Sequence, residues 1–102
     1  MKTKNKTKTK PNESSPRKVR IDFHRDGAQA VFIAGTFNEW RPNALAMIAV
    51  GDGNWVKELS LHPGRYEYRF VVDGEWVNDP QAEQIRNTYG GFNSVLVIER
   101  TT

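Results

Sequence analysis

Apolar and polar residues alternate along most of this chain, and a period of two is typical of β-strands. The clearest case is segment 65–72, where an aromatic or aliphatic residue occupies every even position and arginine or glutamate occupies most odd ones. Segment 18–23 alternates in the same way. No segment shows the spacing of three and four residues that gives a helix one apolar face. The sequence therefore predicts an all-β fold.

Turn-forming residues divide the alternating segments into about seven short strands. Asp-Gly occurs at 26–27 and 73–74, Gly-Asp-Gly at 51–53 and His-Pro-Gly at 62–64. The expected strands cover residues 19–23, 29–34, 45–50, 55–61, 65–72, a short segment around Trp76, and 94–99. Segment 30–34 is apolar on both faces and is expected to be a central strand. Strands at this spacing indicate an immunoglobulin-like antiparallel β-sandwich, a fold that does not by itself specify a function.

The first 17 residues differ from the rest in composition. Lysine occupies every even position from 2 to 10, and Pro-Asn-Glu-Ser-Ser-Pro follows at 11–16. No apolar residue after Met1 could anchor this segment to a core, and the basic start is not followed by the apolar stretch of a secretory signal. Residues 1–17 are therefore predicted to be a disordered basic tail, and residues 18–102 the folded β-sandwich domain.

The positive net charge of the chain comes from the tail. Residues 1–18 hold seven of the fifteen basic residues and one of the twelve acidic ones, which leaves eight basic and eleven acidic residues in 19–102. A basic tail can touch nucleic acid or an anionic surface without specificity. A solvated charge run is the commoner role, and no specific nucleic-acid partner is expected.

Composition also limits the chemistry that the chain can perform. It has no cysteine, which excludes disulfides, thiolate metal sites and thiol nucleophiles and fits a cytoplasmic location. No apolar run approaches the roughly 18 residues needed to cross a membrane. His24 and His62 have no second histidine at ligand spacing, so neither a metal nor another cofactor is expected.

Three acidic residues cluster in the sequence around Trp76, which is flanked by turn-forming residues. Asp73, Glu75 and Asp79 lie close to Trp76 in sequence, and a glycosidase needs two carboxylates roughly 5 to 9 Å apart across a cleft. Acidic residues beside glycine and proline are usually turn formers. We expect structural roles for them, no catalytic residues, and a protein that is not an enzyme.

Trp40 and Trp76 each follow a predicted strand and are flanked by Asn, Gly, Asp and Pro. A tryptophan in that setting is hard to bury completely, and it presents a broad apolar face with one N–H donor at its edge. Two such faces suit a sugar, which has a face of C–H groups and a rim of hydroxyls. A structural role at the end of the sandwich stays open for each. Trp55 lies inside a predicted strand and is expected in the core with the aromatic residues of 66–70.

Several motifs occur together in an order that resembles the family 48 carbohydrate-binding modules. They are VFIAGTFNEW at 31–40, GRYEYRFVVDGEW at 64–76, Asp-Pro at 79–80 and NSVLV at 93–97. That family includes the glycogen-binding domain of the AMP-activated protein kinase β subunit and the N-terminal domains of isoamylases and branching enzymes. The resemblance covers about residues 18–100, essentially all of the predicted fold.

The resemblance implies which residues bind carbohydrate. The positions of Trp40 and Trp76 match the two tryptophans that stack on glucose rings of an α-1,4-glucan in the kinase-type members. Arg69 stands where those members have a sugar-contacting lysine, and Asn93 matches their hydrogen-bonding asparagine. The loop departs from the family: Tyr89 replaces a leucine that reaches into the glucan coil, and Gly91 replaces a threonine.

At the loop, Tyr89 could supply a third stacking ring or pack against the sheet edge. Asn38 and Asn78 are further candidates for the polar rim. All of these residues together predict a non-catalytic module that binds an α-glucan such as glycogen or starch. The alternative is a protein-interaction module that docks on a glucan-metabolising enzyme or a kinase-type complex without binding sugar itself.

Overall fold

Eight β-strands and their connecting turns make up residues 15–100, the part of the chain that the computed structural model describes. The strands are β1 (Arg17–His24), β2 (Val31–Gly35), β3 (Ile48–Gly51), β4 (Asn54–Leu61), β5 (Gly64–Val72), β6 (Glu75–Val77), β7 (Glu83–Arg86) and β8 (Phe92–Ile98). Within this range no helix is long and apolar enough to span a membrane. Most of the predicted tail lies outside the described residues, and its disorder stays a prediction.

The strands form two antiparallel sheets. One sheet has the order β1-β4-β3, and the other has the order β2-β5-β8-β7, with β6 also paired to β5. Phe23 of β1 and Phe70 of β5 meet between the sheets with ring centroids 4.3 Å apart. These features confirm the prediction of an all-β sandwich.

The core consists of the inward-facing residues that the alternation predicted. Trp55 and Tyr68 are buried and Phe70 is fully buried, while Tyr66 packs against them from a half-buried position. Removing apolar surface from water is the main favourable contribution to folding for a domain of this kind. The expectation that Trp55 belongs to the core, together with segment 66–70, is confirmed.

The region around β3 differs from the prediction. The third strand was expected to cover 45–50, but Leu45–Met47 pairs with the outer edge of β2, and only Ile48–Gly51 pairs with β4. The Ile33 amide donates to the Leu45 carbonyl, and the Met47 amide donates to the Val31 carbonyl. The chain thus crosses from one sheet to the other within 45–51. β2 is the first strand in the order of its sheet, so the prediction that it is a central strand is wrong. Its outer edge is nevertheless hydrogen-bonded to segment 45–47.

The second sheet contains one strand that the sequence pattern did not predict. β7 has the sequence Glu-Gln-Ile-Arg, with a single apolar residue and no alternation. It forms because it pairs with β8 at the edge of the sheet, a contact between segments that local pattern does not encode. β8 begins at Phe92, two residues before the predicted start.

A buried polar cluster connects β5, β8 and the segment after β6. The Tyr68 hydroxyl donates to Asp79 Oδ2 at 2.6 Å, and the Asp79 amide donates to Ser94 Oγ at 2.8 Å. The Gln81 amide donates to the other carboxylate oxygen at 2.9 Å. Burial raises the pKa of Tyr68 far above its usual value, and the hydrogen bond and charge of Asp79 raise it further. Asp79 therefore has a structural role.

Asp73 has a structural role of a different kind. Its carboxylate accepts hydrogen bonds from the backbone amides of Gln29 and Ala30, which precede β2. Glu75 is exposed on β6. The expectation that these acidic residues serve the fold is confirmed for Asp73 and Asp79.

Candidate functional site

A cavity of about 630 Å³ lies where β5, β7 and β8 meet the loops after β2 and β7. Five of the eight residues named from the sequence line it: Trp40, Arg69, Trp76, Tyr89 and Asn93. Four further residues complete the lining: Glu67, Arg86, Asn87 and Thr88. We call it the Trp40/Trp76 cavity. Gly91, Asn38 and Asn78 are not among its lining residues.

The two indoles stand side by side at this cavity. Their ring centroids are 6.4 Å apart and their planes are inclined by 51°. Trp40 is half-buried and Trp76 is 40% exposed. The guanidinium carbon of Arg69 lies 5.8 Å from the Trp76 ring centroid, within the range of a cation–π contact. Arg69 therefore supports Trp76 from one side, and the exposed part of the indole is open to a ligand.

The loop after β2 holds Trp40 by its backbone. Glu39 and Trp40 both have positive φ, 60° and 59°, a conformation that costs energy for residues with a side chain. The Trp40 amide donates to the Gly35 carbonyl at 2.9 Å, and the Gly35 amide donates to Asn38 Oδ1 at 3.0 Å. Asn38 Nδ2 donates to the Arg41 carbonyl at 3.2 Å. Asn38 thus organises the loop through both ends of its amide.

Gly35 has no room for a side chain at the start of this loop. An added Cβ would clash with the Glu67 carbonyl oxygen and come within 2.8 Å of the Phe37 ring. We expect Gly35→Ala to lower the free energy of unfolding by about 1–3 kcal/mol, because backbone must move to relieve the contact. Urea denaturation measures the change. Gly74→Ala is unsuitable as a control, because Gly74 has a positive φ that alanine would strain. Ser60→Ala, at an exposed strand position, is the control. Equal stability of Gly35→Ala and wild type would contradict this.

Asn93 is buried, and its side-chain amide is fixed by two neighbours. Its Nδ2 donates to Glu67 Oε1 at 3.0 Å, and its Oδ1 accepts from Asn87 Nδ2 at 3.2 Å. Arg65 Nη1 donates to the other oxygen of Glu67 at 3.1 Å. The hydrogen bond from Asn93 lowers the pKa of Glu67, partial burial opposes it, and Arg65 lowers it further. One N–H and one lone pair of the Asn93 amide remain free for a ligand.

Asn87 connects this network to the loop before β8. Its side-chain Oδ1 accepts hydrogen bonds from the backbone amides of Tyr89 at 2.9 Å and Gly91 at 3.0 Å. The backbone amide of Asn87 donates to the Gly91 carbonyl at 2.8 Å. Tyr89 is 96% exposed, so it does not pack against the sheet edge. Gly91 contributes its backbone to the loop and does not line the cavity. The loop is thus positioned by Asn87, which Asn93 contacts directly.

The network should respond to acid. Because the pKa of Glu67 is lowered in the folded protein, the stability it contributes is present above the unfolded value near 4.5 and is lost as the pH falls through the folded value. We expect the Asn93 side-chain NH₂ resonances to shift as the pH falls below 4.5, because the lowered pKa of Glu67 makes this carboxylate protonate at a lower pH in the folded protein than in the unfolded chain. A pH titration followed by NMR measures the effect. Glu67→Gln should remove the shift, and a shift that persists in that variant would contradict the assignment to Glu67.

Sequence reasoning missed four of the lining residues. Glu67 could have been found, since alternation places it two residues before Arg69 on the outward face of β5. Arg86, Asn87 and Thr88 enter the cavity because β7 pairs with β8, and β7 carries no signal in the sequence.

A family model described as the glycogen recognition site of AMP-activated protein kinase matches residues 17–102. The chain belongs to this family. The match spans every strand of the sandwich and all the residues that line the Trp40/Trp76 cavity. The resemblance to glycogen-binding modules predicted from the sequence motifs is therefore confirmed, and family membership supports carbohydrate binding without catalysis.

Relatives in this glycogen-recognition family are subunits of a protein kinase. The 5'-AMP-activated protein kinase subunit beta-1 of Rattus norvegicus is 30% identical over 92 residues, which cover 88% of this chain and 33% of that protein. Subunit beta-2 of Mus musculus is 32% identical over 76 residues, 74% of this chain and 27% of that protein. The chain thus spans between about a quarter and a third of the length of the kinase subunits that it matches.

A solved structure with a similar fold comes from an enzyme. The crystal structure of maltogenic amylase from S. marinus aligns with a TM-score of 0.68 and 22% identity, over 88% of this chain and 15% of the amylase. At that identity the likeness shows the fold alone. A sandwich of this fold therefore also occurs as a small part of a much larger chain.

Proposed function

We propose that this chain is a non-catalytic module that binds an α-1,4-glucan such as glycogen, stacking glucose rings on Trp40 and Trp76. The observation that carries the proposal is the meeting of these two indoles at one cavity, Trp40 from the loop after β2 and Trp76 from β6, far apart in sequence. An indole that stacks on the C–H face of a sugar removes apolar surface from water, which contributes a favourable free energy of about 25 cal/mol per Å². The family match supports glycogen as the type of polymer.

Polar groups around the indoles would select the orientation of the sugar hydroxyls. Arg69 and Asn93 line the same cavity as the two tryptophans, and each retains N–H groups for hydrogen bonds to a ligand. An unpaired buried donor costs about 1–3 kcal/mol, so a sugar that leaves these groups unpaired binds less well. Arg69, which stands where the kinase-type members have a lysine, keeps the positive charge but presents a planar fork of N–H donors.

The carboxylates of the domain support a binding role over a catalytic one. Glu67 is the one carboxylate among the residues that line the cavity, whereas glycosidases use a pair. Both of its oxygens already accept hydrogen bonds. Asp73 and Asp79 are engaged in the fold.

Affinity should depend strongly on the length of the glucan. The costs of association absorb much of the gain from stacking, so a short oligosaccharide should bind weakly. A long glucan presents many overlapping sites, and its apparent affinity should be higher. Tyr89, fully exposed on the loop, would add a third ring for a longer chain.

Affinity electrophoresis tests the proposed function. The full chain should be retarded in a native gel that contains glycogen, and maltoheptaose should restore its mobility more effectively than maltose. Bovine serum albumin in the same gel controls for sieving by the polymer. Unchanged mobility in glycogen would contradict the proposal.

The alternative role, docking on a glucan-metabolising enzyme or a kinase-type complex, gives a different result in the same experiment. Co-purification of such an enzyme with a chain that glycogen does not retard would favour it. Both the protein partner and the cytoplasmic location expected from the absence of cysteine stay predictions.

A further inference from the structure

The Trp40/Trp76 cavity is positively charged on a domain that is otherwise acidic. Residues 19–102 hold eight basic and eleven acidic residues, yet the cavity lining includes Arg69 and Arg86 against the single carboxylate of Glu67. That carboxylate already forms an ion pair with Arg65. Neither Arg69 nor Arg86 forms an ion pair within residues 15–100. Two positive charges at the cavity therefore lack a negative partner in the described part of the chain.

Both guanidinium groups are held in place by aromatic rings instead of by carboxylates. Arg69 lies over Trp76 at 5.8 Å, and Arg86 lies over Phe92 at 5.2 Å from the ring centroid. A ring contact restrains the plane of a guanidinium and leaves its N–H groups free to donate. Arg69 Nε is buried and has no hydrogen-bond partner. The donors are thus partly ordered before any ligand arrives.

Each side-chain carboxylate or amide oxygen of the surrounding network already accepts at least one hydrogen bond from the protein. Both oxygens of Glu67 accept hydrogen bonds, from Asn93 and Arg65. The Asn87 side-chain oxygen accepts two backbone amides, and that of Asn93 accepts from Asn87. The free capacity at this side of the cavity therefore consists mainly of donors. A neutral sugar hydroxyl both donates and accepts, whereas a phosphate monoester at neutral pH carries close to two negative charges and mainly accepts.

We propose that the cavity prefers α-glucan chains that carry phosphate monoesters, with Arg86 and Arg69 donating to the phosphate oxygens. Guanidinium and phosphate match in charge and in geometry, since two N–H groups can donate to two oxygens in parallel. The proposal rests on the proposed glucan-binding function and defines its ligand more narrowly. The tryptophans hold the sugar rings, and the arginines distinguish a phosphorylated chain from a plain one.

The test compares two forms of one polymer. Full-length protein is run in native gels containing phosphorylated amylopectin, or the same preparation after treatment with a phosphatase, and dissociation constants are obtained from the retardation. We expect wild type to bind the phosphorylated form at least about fivefold more tightly at low salt. The ratio of the two constants should fall as ionic strength rises, because screening weakens exposed charge pairs.

Arg86→Gln is the informative variant, and Arg25→Gln is its matched control. Arg25 also lies over an aromatic ring, 5.7 Å from the centroid of Phe23, and it is outside the cavity. Each variant removes one charge and keeps the lysine-rich residues 2–10, which attract any polyanion. Arg86→Gln should bring the affinity ratio close to one, and Arg25→Gln should leave it at the wild-type value.

Three results would overturn this proposal in distinguishable ways. Equal binding of wild type to the two polymers refutes the phosphate preference and leaves glucan binding standing. A preference that Arg86→Gln retains as fully as Arg25→Gln shows that Arg86 does not bind the phosphate, and it refutes recognition of the phosphate by the arginine pair. Failure to bind either polymer refutes the proposed function itself, and with it the preference.

Discussion

Trp76→Ala is expected to lower the affinity for glycogen by about ten- to hundredfold, and Trp40→Ala by a similar or smaller factor. Losing a stacked sugar face of roughly 50–100 Å² costs about 1–3 kcal/mol. Trp76 should have the larger effect because it also supports Arg69, whose guanidinium lies 5.8 Å from the indole centroid. Affinity electrophoresis in glycogen gels measures both changes.

The two tryptophan variants should not be additive. Their rings are 6.4 Å apart, and residues in contact usually show coupling when both are replaced. Trp76 is 40% exposed, so its replacement should leave the fold intact, and far-UV circular dichroism checks this for each variant.

Ile48→Ala is the matched control for the tryptophan variants. Ile48 is a large apolar residue, 62% exposed, on β3 of the opposite sheet. Its replacement should leave glycogen binding unchanged. If both tryptophan variants remain folded and migrate like wild type in glycogen, the two indoles are not the sugar-binding surface.

Asp79→Ala is expected to lower the free energy of unfolding by about 3 kcal/mol. Its carboxylate accepts hydrogen bonds from the buried Tyr68 hydroxyl and from the Gln81 amide. Without the carboxylate, the tyrosine hydroxyl is left buried and unpaired, which costs about 1–3 kcal/mol, and a charge-assisted hydrogen bond is lost as well. Urea denaturation measures the difference.

Two further variants test the origin of that loss. Asp22→Ala removes a carboxylate from an exposed ion pair with Arg20, and exposed pairs contribute about 0–1 kcal/mol. Tyr68→Phe combined with Asp79→Ala should destabilise less than the sum of the two single changes, because the double variant leaves no unpaired hydroxyl. A loss below 1 kcal/mol for Asp79→Ala would show that the buried cluster contributes little to stability.

The strands that could be predicted from the sequence are those with a buried face. Alternation in 65–72 follows directly from one side of β5 packing on the core, so both its position and its inward residues were predicted correctly. β7 has a single apolar residue and exists because β8 offers it a pairing edge. A strand formed by long-range pairing leaves no local period to detect.

The candidate site shows the same division between local and long-range information. Trp40 and Trp76 were identified because turn residues surround them, and that context is local. Glu67 and Asn87 both act through hydrogen bonds to Asn93, which lies on β8. A glutamate or an asparagine has many possible hydrogen-bond partners, so the sequence does not show which one it has. The positive φ of Glu39 and Trp40 is likewise imposed by the loop's own hydrogen bonds to Gly35 and is not favoured by either residue type.

The crossing of segment 45–51 from one sheet to the other has a consequence for how the domain behaves at high concentration. An uncovered end strand presents free N–H and C=O groups that can pair with another molecule and start aggregation. β2, with its buried Val31 and Ile33, would be such a template, but Leu45–Met47 occupies its outer edge. The crossing segment therefore protects the most apolar end strand of the sandwich from intermolecular pairing.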